Sequence, residues 1–220
     1  MPSDSVIPLF PLGLVLLPHM PLPLHIFEER YKSMIAECLK NNRRFGIVFL
    51  DGSDIRMVGC TAKILKVLKR YSDGRLDILT QGETRFVIKE MYDRKPYLES
   101  RVNYFDDEPE EKTDECRNLA RNGIAMLKQF TTISEMQDAY GFTEGLDNKS
   151  LSFVIAGFEG FSNEEKQRFL EMSSTYNRLE KSVASLERII ERTKLTTEIR
   201  KIIGGNGDIA NFSLKSTKIQ

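Results

Sequence analysis

Five prolines interrupt a strongly apolar segment near the start of the sequence, and they restrict its folding more than any other feature. The segment, IPLFPLGLVLLPHMPLPLHIFEERY, spans residues 7–31 and has prolines at positions 8, 11, 18, 21 and 23. Proline lacks the N–H donor and clashes with the preceding turn, at about 3 kcal/mol inside a helix. We therefore expect no membrane-spanning helix here. We expect no secretory signal either, because such signals begin with positive charge and the first basic residue is Arg30.

The same prolines favour an extended chain in which short apolar strands are separated by turns. We expect Leu14 to Leu17 to form one buried strand, with the prolines at strand ends. After Pro23 the spacing of apolar residues becomes that of a helix with acidic residues in its first turn. The apolar residues of this helix are Phe27, Tyr31, Ile35, Cys38 and Leu39.

Residues 45–105 show the pattern of successive strands. The sequence FGIVFL precedes a turn-like DGSD, and CTAKILKVLKRY and RLDILTQ flank an Asp73-Gly74 pair. A pair of this kind between apolar runs is a strong hairpin signal. TRFVIKEM and YLESRVNYF then alternate apolar and polar residues. Short consecutive strands with tight turns predict an antiparallel, barrel-like sheet.

An acidic segment separates these strands from a helical region. Seven of the ten residues 106–115 are acidic, which is typical of a solvated linker. Beyond it the apolar spacing is helical in CRNLARNGIAMLKQF and LSFVIAGF, and Ser162 with Glu165 forms a capping-box pattern. A long helix is predicted from about Tyr176 to Ile203, with Gly204-Gly205 as its end. The polar residues that follow are expected to be flexible.

The charge balance and the cysteines argue against several classes of protein. There are 32 basic and 32 acidic residues, so no global charge favours nucleic acid or a membrane as a partner. The cysteines, Cys38, Cys60 and Cys116, have neither disulfide-framework nor zinc-site spacing. We expect them to be small buried side chains in a cytoplasmic protein without a metal or a cofactor.

Several segments, in one order along the chain, carry a resemblance to a known family. The opening segment closely resembles the start of the N-terminal, substrate-binding domain of Lon proteases. GCTAKILKV and PYLESRV resemble strands of that domain, and DGRLDILTQGETRF resembles its hairpin, which ends in a Gly-x-x-Arg-Phe element at Gly82, Arg85 and Phe86. SFVIA, EEKQRFLE and NRL resemble its helical part. The resemblance extends over residues 6–195.

The resemblance implies an α+β fold, a PUA-like antiparallel β-barrel followed by a C-terminal helical bundle. With the acidic segment as the boundary, we expect a barrel subdomain at 6–105, a linker at 106–115, a helical subdomain at 116–204 and a flexible tail at 205–220.

The resemblance also implies a role, the binding of unfolded or tagged polypeptides. The sequence has no Gly-Lys dipeptide, so it lacks the phosphate-binding loop of an ATPase, and nothing in it resembles the Ser-Lys peptidase region. Both histidines lie in the opening segment, which gives a Ser-His-Asp triad little support. We expect a stand-alone, non-catalytic module that binds unfolded or extended polypeptides, alone or for a separate protease. Its oligomeric state is left open.

The candidate polypeptide site is placed at the start of the first helix, in a groove between barrel and helices. It comprises Leu24, Phe27, Arg30 and Tyr31. The alternative is that the two aromatic residues are core, while a charge on the first helix pairs with Glu83 or Arg85 to hold the helix on the barrel.

Nucleic-acid binding is the alternative function, because PUA-like barrels also occur in RNA-binding proteins. Residues 40–75 carry nine basic and three acidic side chains, a net charge of +6 (nine minus three), and phosphate contacts would make the affinity salt-dependent. However, the lysines at 63, 66 and 69 alternate between faces of a strand, and the overall pI of about 6.8 lacks a strongly basic footprint. The candidate RNA-binding residues are Arg43, Arg44, Lys66, Lys69 and Arg70.

Overall fold

The computed structural model describes residues 5–133 and 143–205, which form a mixed α+β fold with one six-stranded sheet and five helices. The strands are β1 (Ser5–Leu12), β2 (Pro21–Ile26), β3 (Phe45–Asp51), β4 (Asp54–Arg70), β5 (Leu76–Tyr92) and β6 (Glu99–Phe105). The helices are α1 (Glu29–Asn41), α2 (Thr113–Ile133), α3 (Asn148–Ala156), α4 (Asn163–Glu171) and α5 (Thr175–Gly205). The part of the predicted tail beyond Gly205 lies outside the described residues.

The strand order is β2-β5-β4-β3-β1-β6, and β6 also pairs with β5. The pairings β5–β4–β3–β1–β6 therefore return to β5 and form a closed circuit of five strands. β5 is long enough to pair with two strands in succession. Its first half pairs with β2, and its second half pairs with β6.

The expectation of a purely antiparallel sheet is wrong at one pairing. β1 and β3 run parallel, with Leu9 to Leu12 opposite Gly46 to Phe49. The connection between them contains β2 and α1, and such a crossover is what parallel neighbours need, since a tight turn can join only antiparallel strands. Alternation within each strand predicts which residues are buried, but it does not reveal this direction.

The prolines of the opening segment do produce an extended chain, but the strands are not where they were predicted. Leu14 to Leu17 is not a strand; it lies in the irregular connection between β1 and β2, and only its last two leucines are buried. β2 is an edge strand with β5 as its sole described neighbour. N–H groups alternate between the two sides of a strand, so Pro21 and Pro23 can both face the unpaired side without loss of a hydrogen bond.

The turn signals are confirmed. β4 and β5 form the hairpin predicted from Asp73-Gly74, and Gly74 has a φ of 83°. Gly52, in the turn of DGSD between β3 and β4, has a φ of 64°. Glycine reaches such positive φ angles without steric cost.

The buried apolar side chains form two clusters. The larger one joins the sheet to α1 and to the helices that follow β6. The smaller one contains only buried side chains of β1, β3, β5 and β6, namely Ile7, Leu9, Val48, Phe86, Ile88 and Val102. The three cysteines are buried and unpaired, as predicted. Burial raises the pKa of Cys38 to about 11 and that of Cys60 to about 12, so both remain neutral thiols at neutral pH.

The helical predictions hold where the chain is described. α2 buries Cys116, Ala120 and Leu127 along one face, and it packs against α3 and α5. The capping box of α4 is present, with Ser162 Oγ accepting from the N–H of Glu165 and the Glu165 carboxylate accepting from the N–H of Ser162. These contacts satisfy two N–H groups at the helix start.

The acidic segment is only partly solvated, because Asp107 is buried between two arginines. Its side chain is 5% exposed, and those of Arg85 and Arg178 are 2% and 0% exposed. Arg85 donates to Asp107 Oδ1 at 2.5 Å, Arg178 donates to Oδ2, and the hydroxyl of Thr175 also donates to Oδ2 at 2.5 Å. This carboxylate therefore connects β5, the segment after β6, and α5. Arg85 pairs neither with Glu28 nor with another residue of the first helix, so that predicted link is wrong.

Candidate functional site

Three of the exposed large apolar side chains lie on or beside a three-stranded extension of the sheet. We define this extension as β2, residues 76–81 of β5 and residues 63–70 of β4. Its core face buries Ile26, Leu76 and Ile78, so the intervening residues point to the opposite, outer face. On the β4 side, β3 pairs only with residues 54–62. No described strand therefore pairs with the free edge of residues 63–70.

Two leucines are exposed on this edge because of β-bulges. The register of β4 against β5 shifts at two places within the extension, and Leu65 and Leu68 are the residues left without a partner on β5. A bulge turns the extra residue away from the regular ladder. Leu65 is 48% exposed and Leu68 is 52% exposed. Sequence alternation alone could not have identified them, because a bulge interrupts the period of two on which that reasoning depends.

Phe27 is exposed at the opposite border of the outer face. It follows β2 and is 59% exposed, and its ring stacks on that of His25 with 5.9 Å between centroids. His25 lies opposite Asp77, which in turn lies opposite Lys69. Adjacent strands are about 4.8 Å apart, so this row places His25 and Lys69 roughly 10 Å from each other. The outer face therefore carries apolar side chains at both borders, with a polar row between them.

The polar row is held by hydrogen bonds. Asp77 accepts from Tyr71 Oη at 2.8 Å and lies 2.6 Å from His25 Nδ1. These contacts with His25 and Tyr71 hold the pKa of Asp77 below its usual range. The ammonium of Lys69 lies 4.5 Å from the centre of the Tyr71 ring, a cation–π contact.

Of the four residues predicted to bind polypeptide, the structure exposes two and buries or partly buries the others. Tyr31 is in the core, 7% exposed, with its ring 4.0 Å from that of Phe10. Leu24 is half-buried and packs on the core. Arg30 is exposed, but it pairs with Glu28 at 2.8 Å and covers the ring of Tyr31. Phe27 alone presents a free apolar side chain, and it precedes the helix that it was expected to join, since α1 begins at Glu29.

The five residues predicted to bind RNA fall into two groups. Arg43 and Arg44 are engaged in ion pairs with Glu37 and Glu83. The others, Lys66, Lys69 and Arg70, lie on the free edge of β4, are exposed and form no ion pair with a described residue. This edge therefore combines positive charge with the two exposed leucines.

A second candidate is a cleft between the sheet and α3, with a volume of about 570 Å³. Its walls include Pro18, His19, Arg85, Tyr104, Phe105 and Phe153. None of the four predicted polypeptide-binding residues lines it. The charged groups at its rim are largely neutralised in pairs, such as Lys149 with Asp106 at 3.0 Å. The cleft is thus suited to apolar or aromatic groups rather than to a strongly charged ligand.

His19 is the unusual residue of this cleft. It has a φ of 67°, a left-handed conformation that costs a non-glycine residue about 1–2 kcal/mol. Its Nε2 lies 3.1 Å from Ser150 Oγ on α3, and its backbone N–H donates to the carbonyl of Gly82. Burial lowers its pKa below the usual 6.5, and the charge of Asp147 only partly offsets this effect.

We expect the lowered pKa of His19 to make the fold acid-sensitive. The unfolded chain binds a proton at His19 near pH 6.5, whereas the folded state resists it, so stability is complete above that pH and is lost as the pH falls below it. Urea unfolding of wild type and His19→Asn between pH 7.5 and 5 tests this, since asparagine tolerates a positive φ. The loss of unfolding free energy between pH 7.5 and 5 should disappear in His19→Asn and persist in His25→Gln. If all three proteins lost the same free energy over this range, His19 would not be the source of the acid sensitivity.

Residues 5–133 and 143–205 contain neither a helix that could span a membrane nor a cluster of metal ligands. None of these helices is long and apolar enough to cross a lipid bilayer. No group of three or more histidine, cysteine or acidic residues in this part of the chain is arranged to hold a metal ion.

The comparison with protein families gives one match over most of the chain. The model of the ATP-dependent protease La (LON) substrate-binding domain matches residues 6–188. Lon protease of Heliobacterium modesticaldum is 28% identical over 208 residues, and that of Rhizobium meliloti is 25% identical over 210 residues. These alignments include 88% and 90% of this chain, but 25% and 26% of the relatives. The chain therefore spans about a quarter of the length of these proteases.

Solved structures give the same architecture. A Lon N-terminal domain protein from Xanthomonas campestris superposes with a TM-score of 0.62 at 22% identity, over 82% of this chain and 98% of that one. The N-terminal domain of a Lon protease from the Mycobacterium avium complex gives a TM-score of 0.67 at 20% identity, over 83% and 98% of the two chains.

Proposed function

The chain belongs to the family of Lon substrate-binding domains, and from this premise we propose that it binds unfolded or extended polypeptides on the outer face of the three-stranded extension. Unfolded proteins differ from folded ones in that they expose apolar side chains and unpaired backbone groups. A surface that recognises them should offer both apolar contacts and free hydrogen-bonding groups.

The observation that carries the proposal is the exposure of three apolar side chains at the two borders of one sheet face, Phe27 after β2 and Leu65 and Leu68 on the free edge of β4. Phe27, Leu65 and Leu68 are each about half exposed, and the two leucines are turned outward by the bulges of β4. Edge strands are normally protected against pairing by bulges and lysines. The bulges and Lys66 and Lys69 fit that protection, and we infer that they limit binding to short, reversible contacts with side chains and do not allow a continuous added strand.

The first test measures binding of a fluorescently labelled test protein in chemically unfolded, carboxymethylated form, with its native form beside it. We expect the unfolded form to bind and the native form not to bind. The triple variant Phe27→Ser, Leu65→Ser, Leu68→Ser should bind about tenfold to hundredfold more weakly, because burying each half-exposed side chain contributes about 1 kcal/mol. Because these side chains are exposed, the variant should keep the thermal unfolding curve of the parent.

The matched control replaces three exposed apolar side chains that lie elsewhere, with Val6→Ser, Met57→Ser and Met91→Ser. Each of these is also nearly half exposed, at 43%, 48% and 46%. If the two triple variants lost affinity equally, binding would be a non-specific effect of exposed apolar side chains. If the first variant kept the affinity of the parent, the outer face would not be the binding site.

We further infer that this chain is non-catalytic, and that it acts in the cytoplasm either alone or for a separate protease. The family match supports this reading, since it concerns the substrate-binding region of Lon and not its peptidase. RNA is the alternative ligand, because Lys66, Lys69 and Arg70 lie on the same edge as Leu65 and Leu68 and form no ion pair with a described residue. A gel-shift assay with single-stranded RNA at low and high salt distinguishes RNA binding from polypeptide binding. An RNA complex should form at low salt and weaken steeply at high salt, since it depends on phosphate contacts.

For the fold, we propose the finer description that the resemblance implies. The closed circuit of five strands and its separate apolar cluster support a PUA-like barrel, and the mutual packing of α2, α3 and α5 supports a helical bundle. The proposed division remains 6–105, 106–115, 116–204 and 205–220, although α2 begins within the linker, at Thr113.

A further inference from the structure

A groove between α4 and α5 shares no residue with the polypeptide-binding surface proposed above. The two helices are joined by residues 172–174, and the space between them has a volume of about 330 Å³. We call it the α4–α5 groove and define it by the residues that line it. They are Glu165, Arg168, Phe169, Met172, Lys181, Ala184, Ser185 and Arg188.

The groove exists because α5 uses its other face for the core. Leu179, Val183, Leu186 and Ile190 are buried on the side of α5 that packs against α2 and α3. Lys181, Ala184 and Arg188 are spaced three and four residues apart, so they form a second stripe along the helix. That stripe lines the groove, and its three residues are exposed.

The walls of the groove carry three cations and one carboxylate, that of Glu165. Arg168, Lys181 and Arg188 are exposed, and within residues 5–133 and 143–205 none of them forms an ion pair. Among the described residues, Arg168 donates to the backbone carbonyl of Glu164, and Arg188 donates to the hydroxyl of Ser185. The carboxylate of Glu165 accepts a hydrogen bond in the capping box of α4. The groove thus has an excess of positive charge in a chain whose net charge is zero.

The floor of the groove is apolar. Phe169 is 4% exposed, and Met172 and Ala184 lie beside it along the groove. A volume of this size holds about two apolar side chains. Met172 is well suited to such contacts, since its unbranched side chain adapts to different shapes.

The spacing of the cations defines the ligand further. Lys181 and Arg188 are seven residues apart on α5, about 10.5 Å at 1.5 Å per residue. In a chain with the extended polyproline II conformation, residues three positions apart lie on the same side and are separated by about 9.3 Å. Two carboxylates at positions i and i+3 of such a chain therefore match the two cations, and a residue between them can point to the apolar floor.

We propose that the α4–α5 groove binds an extended acidic segment of a partner polypeptide, in which one acidic residue stands on each side of two apolar residues. Nucleic acid fits the groove less well, because single strands are bound on exposed aromatic rings and Phe169 is buried. Long-range attraction by the cations should also accelerate association at low salt.

The test uses the fluorescein-labelled peptide GELFEG and its neutral counterpart GQLFQG, with the full chain. We expect the acidic peptide to bind and the neutral one to bind at least about tenfold more weakly. Increasing the salt concentration should weaken the binding of the acidic peptide further. The double variant Lys181→Glu, Arg188→Glu should lose binding by about the same factor, and its melting curve should be unchanged because both side chains are exposed.

The control is the double variant Arg192→Glu, Lys194→Glu, which makes the same charge change on the same helix outside the groove. We expect it to retain nearly the affinity of the parent. The proposal is overturned if both peptides bind equally, if the groove variant binds like the parent, or if the two double variants lose binding equally. It is also overturned if a short oligouridylate competes for the same residues more strongly than GELFEG.

Discussion

Asp107→Asn is expected to destabilise the fold by about 3–5 kcal/mol. Asparagine has nearly the same shape, but it removes the carboxylate that lies between the buried guanidinium groups of Arg85 and Arg178. Breaking a buried ion pair costs this much because the remaining charge stays desolvated and uncompensated. In a chain of this length the melting temperature should fall by about 10 °C or more, which calorimetry or circular dichroism would measure.

The neighbouring Asp106 provides a matched control. It is 71% exposed and pairs with the partly exposed Lys149, and surface pairs of this kind contribute less than about 1 kcal/mol. Asp106→Asn should therefore leave stability almost unchanged. Equal effects of the two substitutions would mean that the buried cluster contributes no more than a surface pair.

The carboxylate of Asp107 should also make the stability of the fold depend on pH. Burial opposes the ionisation of Asp107, but its hydrogen bonds and charge interactions with Arg178, together with Arg85, outweigh that effect and hold its pKa below the usual 3.8. Its contribution is therefore complete above pH 3.8 and is lost as the pH falls through the lower folded value. The difference in stability between wild type and Asp107→Asn should be constant near neutrality and should shrink only in strong acid.

Gly82→Ala should be comparably damaging, at about 3 kcal/mol or more, for a steric reason. A methyl group at this position would lie 2.2 Å from the carbonyl oxygen of Leu17, and that oxygen belongs to the backbone and cannot rotate away. The connection between β1 and β2 is held against Gly82 by two hydrogen bonds, from the N–H of His19 to its carbonyl and from its own N–H to the carbonyl of Met20. Overpacking against fixed atoms is among the costliest single changes in a core.

Gly13→Ala is the comparison that isolates the clash. Gly13 lies in the same connection, but a methyl group there would have nothing within 4 Å. The stability of the Gly13→Ala variant should be unchanged or higher by up to about 1 kcal/mol, since alanine restricts the unfolded chain. If Gly82→Ala were equally harmless in chemical denaturation, the close approach of the two backbones would not be a requirement of this fold.

The Gly-x-x-Arg-Phe element shows what a sequence resemblance can identify and what it leaves unexplained. The three positions could be recognised from the sequence, but their roles depend on contacts with distant segments. Gly82 admits the backbone of residues 17–20, and Arg85 binds Asp107. The Phe86 ring lies so close to Gly46 and Gly59 that a methyl group on either would approach it to 2.6 Å. No local pattern reveals such contacts, because the partners are far apart in sequence.

The candidate site was predictable only where the backbone stays regular. Of the two predicted aromatic residues, Phe27 is exposed, although it is not helical, and its role in binding stays a prediction. Tyr31 is buried, because helical spacing does not show which face of a helix packs on the core. Leu65 and Leu68 were missed because two bulges break the alternation of β4. The acidic segment was recognised, but its one buried member, Asp107, has the same local composition as its solvated neighbours.

The position of β1 has a consequence for the order in which this chain can fold during synthesis. β1 lies between β3 and β6, and β6 ends at Phe105, so the first strand to emerge from a ribosome must wait for the last. Chains grow from the N-terminus at about 5–20 residues per second, which leaves residues 5–8 of β1 without their partner in β6 for several seconds or more. The prolines of the opening segment suit that interval, since segments that aggregate through β-structure lack proline. The residues that shape the native edge strand would thus also protect the nascent chain.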